Sequence, residues 1–239
     1  MALSKRTFLQ AAGAAAAGLA TSRPANAQGP APAGPPKAPE RPSPDEALRL
    51  LIEGNVRFVE SKGSHSCRTP SDFAALAAGQ RPFAVILACA DSRVGPEIMF
   101  DRGLGDLFVV RVAGNVIAGT GDPLKGSIEY AVAELGAPLI VVMGHSACGA
   151  VKAAIAHIDA KAKLPGAING LVDLIRPAVL KAKGESGDPL DNSIRANVER
   201  GVARLRRLDP IVAPAVRKGT VKVVGGVFNL ANGKVTMLD

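Results

Sequence analysis

The chain has 239 residues, 47% of them hydrophobic, and a formal charge of +8. That length suffices for one substantial core, and aromatics are so scarce (seven Phe, one Tyr, no Trp) that Val, Leu, Ile and Ala must fill it. Lys5, Arg6 and Arg23 carry three of the positive charges, and the remaining +5 lacks the basic patch with interleaved aromatics of a nucleic-acid binder.

Residues 1–27 read as an export signal. Lys5 and Arg6 form a charged start, Ala11 to Ala20 is an apolar run of small residues, and Ala25-Asn26-Ala27 is a small-x-small cleavage site before Gln28. The run is too short to span a bilayer, so no stable membrane insertion is expected after cleavage. Ser4-Lys5-Arg6-Thr7-Phe8-Leu9 resembles a twin-arginine signal with Lys5 in place of the first arginine. The expected destination is an exported, periplasmic one. Residues 28–44 hold seven prolines and read as a stiff, extended tether. The globular domain is expected over 45–239.

Ser43-Pro44-Asp45-Glu46 is a helix start, with Ser43 as N-cap and Glu46 closing a capping box. Leu48, Leu51, Ile52, Val56 and Val59 then mark one helical face. His65, Cys67 and Pro70 lie in a polar loop, and a second helix is expected over 72–78. The run Pro82 to Ala88 reads as a buried parallel strand, and Leu107 to Val112 as a second. Asp122-Pro123 caps a helix carrying Leu124, Ile128, Val132 and Leu135, which Gly136 ends. A third strand runs from Pro138 to Met143. Helices follow from Gly149 to about Lys163, from Ile168 to Lys183 with Pro177 as a kink, and through Ile194, Val198, Val202, Leu205 and Leu208. The Arg195, Arg200, Arg204, Arg206 and Arg207 group on that last helix reads as a solvated face. The final strands, 221–230 and 235–238, are joined through Asn232-Gly233, a hairpin signal. Strands alternating with helices give an α/β fold with a mostly parallel central sheet and an antiparallel C-terminal edge hairpin.

The chemistry concentrates in Cys89-Ala90-Asp91-Ser92-Arg93 and His145-Ser146-Ala147-Cys148-Gly149, each at the end of an apolar strand run. Two soft thiolates and one imidazole suit zinc, and three protein ligands leave a fourth position for water. In parallel sheets ligands bind at strand ends, so Cys89, His145 and Cys148 form the expected ligand set. Zinc held there lowers the pKa of its water to about 7. Asp91 is the candidate to accept the hydroxide's proton, and Arg93 to hold Asp91 through a charge-assisted pair. Gly149 opens a helix whose N–H groups favour the Cys148 thiolate. The plainer reading, that the two cysteines are small buried hydrophobes, does not explain a charged Asp91 and Arg93 directly after Cys89. His65 with Cys67 offers too few ligands for a second metal, and His157 reads as a surface or core helix residue.

The pair of motifs, Cys-x-Asp-x-Arg and then His-x-x-Cys, resembles that of the beta class of carbonic anhydrases, over about Asp45 to the C-terminus. The resemblance implies reversible hydration of carbon dioxide to bicarbonate and a proton, with Asp91 and Arg93 as the family's Asp–Arg dyad. It implies that Gln80, Phe108 and Tyr130 line the substrate pocket, as in plant-type members, and that the chain forms a tight dimer or a multiple of it. Some members close at low pH by moving the aspartate onto zinc, and a subset stabilises that form with bicarbonate at a site using a tryptophan three residues before the first zinc cysteine. Here that position is Ile86. Asp91 is therefore expected to stay paired with Arg93 near neutral pH. Two alternatives share the site: hydrolysis of carbonyl sulfide or carbon disulfide, and a non-enzymatic zinc or redox module.

Overall fold

The computed structural model describes residues 40–64, 69–117, 123–160 and 164–238. The expected export signal, most of the expected tether, His65, Cys67 and Asp122 lie outside the described residues. No described helix is long and apolar enough to cross a membrane.

Helix α1 spans Pro44–Val59, and the Ser43 hydroxyl accepts from Glu46 N at 3.2 Å. Only that half of the expected capping box is in place; the Glu46 carboxylate instead lies 3.6 Å from the Arg49 guanidinium. Helix α2 (Pro70–Leu76) starts two residues earlier than expected, because Thr69 and Asp72 form a reciprocal cap with Pro70 at the first position. Strand β1 (Ala84–Ala88) is followed by a four-residue helix α3 (Pro96–Met99) and by β2 (Leu107–Arg111). Helix α4 spans Pro123–Ala133, and Gly136 turns the chain with a φ of +65°. Strand β3 (Leu139–His145) runs two residues beyond Met143, so His145 sits on the strand itself. Then come α5 (Gly149–Asp159), α6 (Ile168–Ala182, with Pro177 inside it), α7 (Pro189–Leu205) and α8 (Val212–Arg217). Strands β4 (Lys222–Phe228) and β5 (Val235–Leu238) close the chain.

The five strands lie in the order β2-β1-β3-β4-β5. All pairs are parallel except β4 with β5, which form the edge hairpin expected from Asn232-Gly233. β1 and β3 are central and buried along their whole length. That is why both read as unbroken Val/Ile/Leu runs. Each such side chain contributes about 1.5–3 kcal/mol relative to exposure. One face packs Ala47 and Leu51 of α1 with Met99 and Phe100 against Ile86, Val141 and Met143. The other packs Ile128 and Ala131 of α4 with Val198, Val202 and Leu205 of α7 against Val85, Leu87, Ile140 and Val142. Helix α7 sits close on the sheet: a Cβ on Gly144 would stand 2.7 Å from Val198 Cγ2. Arg206 pins the end of α7 to β4, donating to Val223 O at 2.8 Å from Nη2 and 3.2 Å from Nε. That exposed member of the arginine group thus also docks the helix on the sheet.

The apolar face expected for α1 is divided. Leu51 is buried, but Ile52, Val56 and Val59 are 44–48% exposed. The inward position between them is taken by Asn55, which donates to Met99 O (2.9 Å) and Gly233 O (2.8 Å) and accepts from Val235 N (2.8 Å). Two of these hydrogen bonds fix α1 against the hairpin and one against α3, and together they turn its second apolar stripe outward.

Strand order decides where a site can form. The chain passes from β1 to β2 on one side and then crosses to β3 on the other. The crevice at the carboxyl ends of β1 and β3 is therefore a topological switch point, where open α/β sheets bind ligands. Cys89 follows β1 and His145 ends β3, one on each side of it.

Candidate metal centre and active site

Ala88 pairs with Met143 in register, which brings Cys89 beside the end of β3. After His145 the chain turns sharply through Ala147, whose φ is +53°. A left-handed alanine costs about 1–2 kcal/mol, and the turn returns Cys148 to the same point as His145. Two bonds hold this loop against the end of β4 and the turn after it: Ser146 N donates to Phe228 O, and Leu230 N donates to Ser146 Oγ, both at 2.9 Å. The ligand atoms of Cys89, His145 and Cys148 all lie within 4.8 Å of one another, and all three residues are buried. That spread is close to twice a zinc–sulfur bond of about 2.3 Å, so a single ion can meet all three.

The donor set fits a soft divalent metal on a second count. His145 Nδ1 faces Ser146 O at 2.9 Å, which leaves Nε2 as the inward atom. Nε2 is buried and, among the described residues, makes no hydrogen bond of normal geometry. Such an atom is costly unless a partner exists. A second-shell carbonyl on the far ring nitrogen is what metal-binding histidines usually have.

The two sulfurs are treated differently. The Cys89 thiol is lowered to about 4, chiefly because Cys148 donates to it, with His145 and the Gly114 N–H adding to this against the effect of burial. The Cys148 thiol is pushed up by the same donation and by burial, while the N–H groups of Val151 and Ala150 at the start of α5 oppose this. Those N–H groups act through their dipoles, since no side-chain hydrogen bond caps the helix. Burial pushes His145 down, but its interaction with Cys89, through hydrogen bonding and charge, and the Ser146 carbonyl outweigh it and the net direction is up. The Cys148 thiol thus donates into the space where a cation would sit.

Asp91 borders this cluster. Arg93 grips it with two parallel bonds, Nε to Oδ1 at 2.9 Å and Nη2 to Oδ2 at 2.7 Å, and its backbone N–H adds a third at 3.0 Å. The bonds from Arg93 hold the Asp91 carboxyl well below the usual carboxylate range. Oδ2 lies 3.8 Å from His145 Nε2. A cavity of about 600 Å³ opens beside Arg93, walled by Phe58, Phe228 and Leu230.

Residues the sequence reading did not single out complete the frame. Arg111, at the end of β2, donates to Cys89 O at 3.0 Å and to Asp91 O at 2.6 Å, clamping the segment that carries both. Gly114 N donates to Cys89 Sγ at 3.2 Å. The only sequence signal for these was position: a basic residue and a Gly-Asn pair directly after an apolar strand.

The profile of the carbonic anhydrase family matches residues 84–235. "Carbonic anhydrase 2" of Mycobacterium tuberculosis is 41% identical over 197 residues, covering 82% of this chain and 94% of that protein. The chain belongs to the beta-class carbonic anhydrase family. Among solved structures, the beta-carbonic anhydrase CcaA aligns with a TM-score of 0.64 and 29% identity, over 80% of this chain and 95% of that one. One of two tetrameric beta-carbonic anhydrases from Sordaria macrospora aligns with a TM-score of 0.63 and 26% identity, over 80% and 96%. Members of this family are zinc enzymes that hydrate carbon dioxide, and the Cys89–His145–Cys148 cluster is one that can hold such a metal.

The remaining expected pocket residues lie elsewhere in the protomer. Gln80 is exposed and precedes β1, at the end of the strand opposite to Cys89. Phe108 pairs with Val85, four residues before Cys89. Four residues of strand span about 13 Å. Tyr130, on α4, is 48% exposed, and its ring centroid is 6.3 Å from that of Phe108. The Phe108–Tyr130 pair and Gln80 are therefore not brought to this chain's own cluster. Gly149 is in place as the first residue of α5, directly after Cys148.

Proposed function

We propose that this chain is a zinc-dependent carbonic anhydrase in which Cys89, His145 and Cys148 hold the metal and Asp91 and Arg93 run the chemistry. The observation that carries the reading is the buried triangle of Cys89, His145 and Cys148, set directly against a bidentate Asp91–Arg93 pair. When bound, zinc supplies a Lewis acid that makes hydroxide available near neutral pH. The overall reaction adds water to carbon dioxide and releases bicarbonate and a proton. Asp91, kept as a carboxylate, accepts a hydrogen bond from the attacking oxygen and so aims that oxygen's lone pair at the substrate. Arg93 keeps Asp91 ionised and fixed in orientation. An apolar wall suits carbon dioxide, which offers no charge to grip.

We propose further that the site is completed by a second copy. Gln80, Phe108 and Tyr130 line a pocket only if they reach the cluster of another protomer. The exposed Ile52, Val56 and Val59 stripe beside a groove of about 380 Å³ supports such packing, as does the tetrameric state named for the Sordaria relative. Residues 1–27 are proposed to direct export to the periplasm and to be removed; N-terminal sequencing of exported protein should then begin at or near Gln28.

The deciding experiment is stopped-flow carbon dioxide hydration with matched zinc analysis. Rates should scale with zinc content. Zinc-loaded protein no faster than buffer, or faster on carbonyl sulfide than on carbon dioxide, would refute the reading.

A further inference from the structure

The Cys89 sulfur receives its backbone hydrogen bond from Gly114, in the short turn Ala113–Asn115 after β2. Gly114 has a φ of +71°, and a Cβ there would stand 2.8 Å from Ile175 Cδ1 on α6 and 3.3 Å from Ala150 on α5. Conformation and space both demand glycine. Glycine, however, is the residue least able to hold its own backbone in place. The restraint comes from outside the turn. Gly114 O accepts from Asn197 Nδ2 at 2.8 Å, across 83 positions of sequence. Asn197 is 5% exposed and lies within α7 between Ala196 and Val198, both core residues. Asparagine is a poor helix former, and a buried amide is costly unless bonded. An apolar residue would suit this helix position better on packing grounds alone.

We propose that Asn197 is a positioning residue for the Cys89 sulfur. By holding the Gly114 carbonyl, it fixes the glycine turn so that the Gly114 N–H stays aimed at Cys89 Sγ. The N–H bond stabilises the thiolate and orients it toward the other two ligands. This inference rests on the metal role proposed for Cys89. Outer-shell partners of metal ligands contribute about 10–100-fold in metal affinity. Helix α7 supplies its own control in Asn192, which is 7% exposed and donates from Nδ2 to Ser186 O at 3.0 Å, remote from the cluster in its bonding.

The test is zinc release to a chelator from wild type, Asn197→Ala and Asn192→Ala. Release about 10–100-fold faster from Asn197→Ala, with Asn192→Ala near wild type, is the expected result. Release unchanged in Asn197→Ala overturns the proposal. Equal acceleration in both variants also overturns it, because that marks a merely structural loss. A wild type that binds no zinc refutes the metal reading itself, before either variant is compared. If Asn197→Ala does not fold, Asn197→Asp, isosteric but without the donor, carries the same test. One measurement needs no variant: in cadmium-loaded wild type, the Gly114 amide proton should show scalar coupling to the metal across the N–H···S bond. Absence of that coupling overturns the proposal.

Discussion

At the carboxyl ends of β1 and β3, Cys89, His145 and Cys148 are no more than 4% exposed, and their neighbours are tied down within one chain by Arg111, Gly114, Ser146 and Arg93. Toward the amino ends of the same strands, Gln80 is exposed, Tyr130 is 48% exposed and Phe108 is half-buried. The first end draws all three of its candidate metal donors from one chain, with the fixed donors and dry enclosure that a metal centre would need. The second end has groups that suit a pocket but lie away from this chain's own cluster. One chain therefore holds a finished chemical centre and what we propose to be the wall of someone else's.

Breaking the finished end should have the largest effect. Cys148→Ala removes one of the three proposed ligands. It should lose zinc to near zero stoichiometry and activity with it, as elemental analysis and stopped-flow hydration on the same sample would record. Full zinc in that variant would rule out the ligand set. Asp91→Asn leaves the ligands untouched but replaces the carboxylate with a poorer acceptor that forms no ion pair with Arg93. It should keep stoichiometric zinc and lose about a hundredfold or more in kcat/KM, the scale of a positioned proton acceptor. Together the two variants separate holding the metal from using it.

Much of the finished end was legible in the sequence because its ligands are chemically unusual residues at the ends of long apolar runs. Cys89 follows Ala84 to Ala88, and His145 closes Leu139 to Gly144. Both runs are dense in Val, Ile and Leu because their strands are buried on both faces. The frame around the ligands was not legible. Arg111 acts on backbone 20 and 22 positions away, and Asn197 on backbone 83 away. No local pattern distinguishes a helical asparagine that anchors a distant turn from one that faces solvent. Helices α3 and α8, with four and six residues, are too short to show a period. The α1 stripe was legible as a helical face, but not its division: Asn55 takes the inward position, so half of that face points out of the protomer.

That outward half offers the next effect in size. Val56 is 48% exposed. In a chain that works alone, Val56→Asp should change stability by no more than about 0.5 kcal/mol and leave activity intact. If the amino end completes a second copy's pocket, the variant should instead dissociate in sedimentation velocity, keep its zinc, and lose activity in proportion to the monomer fraction. Tyr130→Ala sharpens the comparison: it should lower kcat/KM by less than Asp91→Asn, with zinc content unchanged.

The smallest expected effect concerns pH, and it probes the boundary of the finished end. The bonds from Arg93 depress the folded pKa of Asp91 below its unfolded value of about 3.9. A depressed carboxylate stabilises the fold above its unfolded pKa, and that contribution is lost as pH falls toward the folded value. Arg93 is 54% exposed, so solvent screening keeps the contribution modest. Urea midpoints of wild type and Asp91→Asn, each in excess zinc, should differ by a constant amount above about pH 5. The gap should narrow below about pH 4. Metal loss at low pH affects both proteins, so the difference between them isolates Asp91. A gap that widened on acidification would mean that Asp91 binds its proton more tightly in the folded protein. The carboxylate would then not be gripped by Arg93, and the dyad at the edge of the metal centre would have to be abandoned.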